Sequence, residues 1–166
     1  MKMAAVLLMW LLALPAFAMP PDAPAFTPQA GFGGASEGTG TLKLLFGKPR
    51  PYNVQSYGHV LANGTFRLDQ TVLFQGKPPR HRHWILTTEQ PGEYTGTLSD
   101  AAGRVTGHTD GPRLTLRYRL KGPLFMHQTL EIKPDGSIDN VGRVTLFGIS
   151  VGHLQETIIR KPAQAK

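Results

Sequence analysis

Hydrophobic positions fall into two regimes along the chain. From Ala4 to Leu14 they are continuous, preceded by Lys2 and followed by Pro15 and Ala16-Phe17-Ala18. A basic start, a short apolar run and a small-x-small site read as a signal peptide over residues 1–18, cut after Ala18. The run falls well short of the ~20 residues needed to span a bilayer as a helix. The expected destination is therefore periplasmic or secreted.

From residue 37 onward the apolar positions alternate with polar ones. In Arg113–Leu120, Leu114, Leu116, Tyr118 and Leu120 occupy one face, and Arg113, Thr115, Arg117 and Arg119 the other. In Thr65–Gln75, Phe66, Leu68, Val72 and Phe74 share a face with Gln70, while Arg67, Asp69 and Thr71 point away. Asn63-Gly64 is a strong hairpin signal, so the run Tyr52–Ala62 should pair antiparallel with the one that follows. Pro91-Gly92, Asp110-Gly111-Pro112, Gly122-Pro123 and Pro134-Asp135-Gly136 punctuate the rest, since Gly supplies positive φ and Pro a fixed φ. No long helical period intervenes. The pattern predicts an all-β, antiparallel barrel of eight to ten strands over residues 37–162, with a β-sandwich as the alternative. Between this domain and the signal peptide, residues 19–36 hold Pro20, Pro21, Pro24, Pro28, Gly31, Gly33 and Gly34, a mixture read as an extended leader without a helix. Residues 163–166 form a tail.

Composition narrows the chemistry. With 40% hydrophobic and 17% charged residues the chain is a folding one, and the absence of Cys excludes disulfides, thiolate metal sites and a thioether-linked lipid anchor. Loss of residues 1–18 would leave 17 basic and 11 acidic residues, a formal charge of +6. Such a field suits anionic envelope surfaces, and export argues against nucleic acid as a partner.

Few motifs carry catalysis. No Ser lies in Gly-x-Ser-x-Gly, and Gly31-Phe32-Gly33-Gly34 lacks the flanking strand and helix of a phosphate loop. His81 and His83 share a strand face, but spacing singles out no third metal ligand, so no metal and no cofactor are expected. Asp69, Glu131 and Glu156 are read as partners of arginines or as solvent-facing groups.

The aromatic residues are more suggestive. Trp84 shares its face with Arg82 and Leu86, and Tyr94 follows the turn that returns the chain beside that strand. An Arg next to a Trp combines a fixed cation with a large amphipathic ring, a pairing suited to an anionic head above apolar surface. Arg82, Trp84, Tyr94 and Tyr118 are therefore the candidate ligand-binding residues. The competing reading makes Trp84 and Tyr118 ordinary core with Arg82 lying over them.

Several segments in order resemble DUF3833, a family of bacterial envelope proteins of unknown function. They are Gly40-Thr41-Leu42-Lys43, Arg82-His83-Trp84, Gly92-Glu93-Tyr94-Thr95-Gly96, Asp100 to Gly107, Leu116-Arg117-Tyr118 and Asn140 to Gly152. The resemblance implies a small lipocalin-like β domain. It also has departures: relatives look like lipoproteins with an N-terminal Cys, an acidic-Trp-Met segment is replaced by His127-Gln128-Thr129-Leu130, and the Lys before Phe-Gly is Leu146.

The expectation is a non-catalytic exported barrel that binds a lipid or other small amphipathic ligand; an interior filled by its own side chains would refute it. The alternative is an envelope structural protein contacting anionic surfaces through Arg113, Arg117, Arg119 and Lys121. A hydrolase or isomerase built on His and Asp residues ranks last.

Overall fold

The computed structural model describes residues 25–162; the expected signal peptide, residues 19–24 of the leader and the tail lie outside them. Ten strands form one closed antiparallel barrel: β1 (Gly34–Leu44), β2 (Arg50–Val60), β3 (Phe66–Phe74), β4 (Arg80–Gln90), β5 (Glu93–Leu98), β6 (Ala101–Asp110), β7 (Arg113–Leu120), β8 (Leu124–Ile132), β9 (Ile138–Leu146) and β10 (Ile149–Arg160). Each strand pairs with its sequence neighbours, and β1 pairs with β10 from Ser36↔Arg160 to Leu44↔Gly152. Closure pairs every edge, which a sandwich would have left open.

Alternation decides which face is core. In β3, Phe66, Leu68, Gln70 and Val72 are buried, and in β7 so are Leu114, Leu116 and Tyr118, with Arg113, Arg117 and Arg119 exposed. Asn63-Gly64 makes the expected β2–β3 turn, with Gly64 at φ 80° and the Asn63 side chain accepting from Thr65 N at 3.1 Å. At Gly96 the absent side chain is a packing requirement. A Cβ there would stand 1.8 Å from the carbonyl oxygen of Ile85 on the paired strand.

The leader departs from expectation. Pro28–Phe32 form one helical turn, α1, because Pro28 sits in the first turn where no N–H is needed, and Thr27 Oγ1 accepts from Ala30 N at 3.0 Å. Phe26 and Phe32 turn inward with ring centroids 6.1 Å apart and plug one end of the barrel. Phe26 is fully buried, donates its N–H to Gly111 O at 2.7 Å and accepts from Thr109 Oγ1 at 3.1 Å. Strand β1 then starts at Gly34, inside the segment read as leader.

Candidate functional site

A belt of polar side chains crosses the middle of the apolar interior. Gln70 of β3 and Arg82 and Trp84 of β4 all point inward, because register aligns Gln70 with Arg82 and Leu68 with Trp84. The Gln70 carbonyl accepts from Arg82 Nε and from Trp84 Nε1, each at 2.8 Å, and its amide donates to Ser56 Oγ at 3.1 Å. Across the barrel a second chain runs from Tyr118 OH to Gln128 Oε1 at 2.6 Å, from Gln128 Nε2 to Asn140 Oδ1 at 3.2 Å, and from Asn140 Nδ2 to Glu156 Oε2 at 2.8 Å. Trp84 and Tyr118 meet edge to face at 5.3 Å, and the Arg82 guanidinium lies 5.9 Å from the Trp84 ring centroid.

Burial shapes the ionisation of this belt. It pushes the Glu156 carboxyl above its ordinary range, opposed by the Asn140 hydrogen bond and the positive charge of Arg82. Burial likewise raises the Tyr118 phenol, and it raises that of Tyr52, where the nearby Glu156 charge adds to the effect. The Tyr52 hydroxyl and Ser36 Oγ are buried without a hydrogen-bond partner. Gly38 makes room for the carboxylate, since a Cβ there would come 2.1 Å from Glu156 Oε1.

Between the two chains lies a cavity of about 30 Å³, lined by Gln70, Arg82, Trp84, Gln128, Asn140 and Glu156 among others. That is room for a water, which a polar lining of this kind would hold, and far below a cavity for an acyl chain. The interior is thus largely filled by its own side chains, which overturns the expectation of a ligand enclosed within the barrel and leaves only the edge of the belt, at Arg82, as a binding candidate. Arg82 is half-buried, and its one side-chain hydrogen bond among the described residues is through Nε, leaving both Nη groups without a protein acceptor.

Of the four candidate residues, three come together. Arg82 and Trp84 line the cavity and Tyr118 braces Trp84 from the side. Tyr94 does not join them: it sits four residues along β5 from Leu98, the residue opposite Trp84, and is buried in the apolar core. Glu156 corrects the expectation of a solvent-facing or Arg-paired carboxylate, whereas Asp69 pairs with Arg67 at 2.7 Å and Glu131 with Arg113 at 2.8 Å. Gln70, Gln128, Asn140 and Glu156 share a signal that could have found them. Each is a polar residue flanked by nonpolar ones on the inward face of an alternating strand, between Leu68 and Val72, Met126 and Leu130, Ile138 and Gly142, and Leu154 and Ile158.

His81 and His83 are exposed beside Tyr57 and Asp69 over an open groove of about 650 Å³, whose lining also includes Ser56, Gln70 and Arg82 of the belt. Among the described residues no three His, Asp or Glu side chains converge to hold a metal ion. The basic strand face is partly engaged: Arg113 is taken by Glu131, while Arg117, Arg119 and Lys121 are exposed.

Fold and interior together define a lipocalin-like barrel. The family described as "Protein of unknown function (DUF3833)" matches residues 16–160, and the chain belongs to it. Among solved structures it is similar in fold to an S-type phycobiliprotein lyase, CPES, from Guillardia theta, with a TM-score of 0.64 and 8% identity over 80% of this chain and 89% of that one. No curated protein matches the sequence.

Proposed function

We propose that this is an exported, non-catalytic binding barrel that receives the anionic head of a small amphipathic molecule at Arg82, with Trp84 and Tyr118 as the aromatic wall. The observation that carries the reading is the Arg82 guanidinium, held only through Nε and stacked on Trp84, with two Nη donors open. A guanidinium fork of this kind matches a carboxylate or sulfonate bidentately. The filled interior leaves the apolar part of such a ligand outside the core, in the open groove of about 650 Å³ that Arg82 and Gln70 also line. A long acyl chain would have to displace core. Contact with anionic surfaces through Arg117, Arg119 and Lys121 is a second role compatible with their exposure.

Residues 19–166 hold a single Trp, Trp84, so its fluorescence reports the site directly. Titration with 1-anilinonaphthalene-8-sulfonate should give saturable energy transfer from Trp84, weakened about tenfold or more in Arg82→Gln for the lost charge-assisted pair and unchanged in Arg119→Gln. Equal titration curves for wild type and Arg82→Gln would refute the reading. Native mass spectrometry of gently purified protein should show a co-purifying small molecule that leaves on denaturation.

A further inference from the structure

The two ends of the barrel differ in charge. One end is plugged by Phe26 and α1; its turns mix acids with Arg67, Arg113 and Lys133, and Arg160 and Lys161 stand there at the close of β10. The other end gathers the β1–β2, β3–β4, β5–β6, β7–β8 and β9–β10 turns. Within three residues of those turns stand Lys43, Lys48, Arg50, Lys77, Arg119 and Lys121, and the one acid, Asp100, is occupied by Arg80 at 3.3 Å.

The same end exposes large apolar side chains at its outermost points. Phe46 in the β1–β2 turn is 90% exposed and Phe147 in the β9–β10 turn is 83% exposed, with Leu45 and Ile149 exposed beside them. The two turns are neighbours, since Leu45 N donates to Val151 O at 2.8 Å. Phe147 also occupies a costly conformation. Leu146 pairs with Ile149 across a two-residue turn in which Phe147 has φ 48° and Gly148 φ 82°, a geometry that favours Asn-Gly and strains a bulky residue. A solvent-exposed Phe held there contributes nothing to the fold that Asn would not supply better.

Behind this tip the register builds a basic row. Arg117 lies opposite His127, His127 opposite Arg143, Arg143 opposite His153 and His153 opposite Lys43, a row crossing five adjacent strands without an acid; its fixed cations are Arg117, Arg143 and Lys43, and burial together with Arg117 and Arg143 holds His127 toward its neutral form. Arg143 is four residues up β9 from Phe147, which at ~3.3 Å per residue and a strand tilt of ~40° puts Arg143 about 10 Å behind the tip.

We infer that this end of the barrel docks onto an anionic lipid bilayer, with Phe46 and Phe147 entering the headgroup–acyl boundary and Lys43 and Arg143, on the strands that carry them, meeting the lipid phosphates. The spacing matches the ~5–10 Å burial of interfacial apolar groups, and the charge sign matches anionic lipid. A protein groove would be served by the two phenylalanines but gives no role to a basic row that runs round half the barrel. This goes beyond the strand-face reading, because it assigns an end, an orientation and a depth.

The test uses protein expressed from the full-length coding sequence, so that every variant carries the same N-terminal processing. Wild type should co-float with vesicles of phosphatidylcholine containing phosphatidylglycerol and much less with phosphatidylcholine alone. Phe46→Ser with Phe147→Asn should weaken binding at least about tenfold, the loss expected for two apolar side chains. Asn suits the turn at position 147, so the double variant should keep the wild-type circular dichroism and melting, which separates loss of docking from misfolding. Lys43→Gln with Arg143→Gln should weaken binding about thirtyfold, at ~1 kcal/mol per cation near the surface. Because the chain has no Cys, a polarity-sensitive dye on Phe46→Cys should brighten with these vesicles and the same dye on Asp135→Cys should not. Vesicle binding that survives loss of both phenylalanines, brightening at both labels, or an oligomer in wild type that the tip substitutions dissolve would each overturn the inference.

Discussion

Gln70→Leu isolates the interior belt. Leu fills nearly the same volume but removes the acceptor shared by Arg82 Nε and Trp84 Nε1, both at 2.8 Å. The indole N–H is buried and loses its partner, which costs about 1–3 kcal/mol. The guanidinium is half-buried and can turn toward water, so the lower part of the range for a charged hydrogen bond, about 1 kcal/mol, applies to it. The expected total is about 2–4 kcal/mol, a large share of the ~5–15 kcal/mol that holds a domain of this kind together. Urea unfolding followed by circular dichroism measures it. Trp84→Phe in the same background removes the orphaned donor, so the pair should cost at least about 1 kcal/mol less than the sum of the single changes. A Gln70→Leu cost below about 0.5 kcal/mol, or strict additivity with Trp84→Phe, would show that the belt does not organise the core.

Other substitutions test other parts of the structure. Phe26→Ala empties the plug of a fully buried ring and should cost about 3–5 kcal/mol by the same unfolding assay. Gly96→Ala places a methyl 1.8 Å from a backbone oxygen of β4 and should destabilise the barrel enough to lower its soluble yield, whereas Gly103→Ala, with open space around its Cβ position, tests backbone conformation alone. Glu156 has a carboxyl raised by burial above its unfolded value of 4.5, so the native state binds the extra proton and stability from this group is greatest below that value and falls as pH rises through the folded one. Glu156→Gln should therefore melt higher than wild type at neutral pH, with the gap closing as pH falls below 4.5 in scanning calorimetry.

Much of this architecture is readable from local pattern. The alternation in Thr65–Gln75 and Arg113–Leu120 assigns strand and buried face at once, because neighbouring side chains of a strand must point to opposite sides. Asn63-Gly64 and Pro91-Gly92 place hairpin turns, since the positive φ they need is written in the residue types. The same alternation put Arg82, Trp84 and Leu86 on one face, where they are. The leader was less legible. Pro28 disfavours a helix interior but suits a first helical turn, and only Thr27 at the cap and the barrel end waiting for Phe26 and Phe32 decide between them.

What the sequence by itself determined is the set of strands, their turns and the side of each that faces inward. Barrel closure, by contrast, depends on β1 meeting β10 about 115 residues later, a pairing that no local window contains. The polar belt depends on the same closure. Gln70, Gln128, Asn140 and Glu156 each look like an isolated polar residue on an apolar strand face, and only the register of seven different strands turns them into hydrogen-bonded chains around one small cavity. Separation along the chain likewise hides the contrast between the two ends. Lys43, Arg117 and Arg143 are scattered in sequence and become members of one row because antiparallel pairing sets residues far apart in the chain opposite one another.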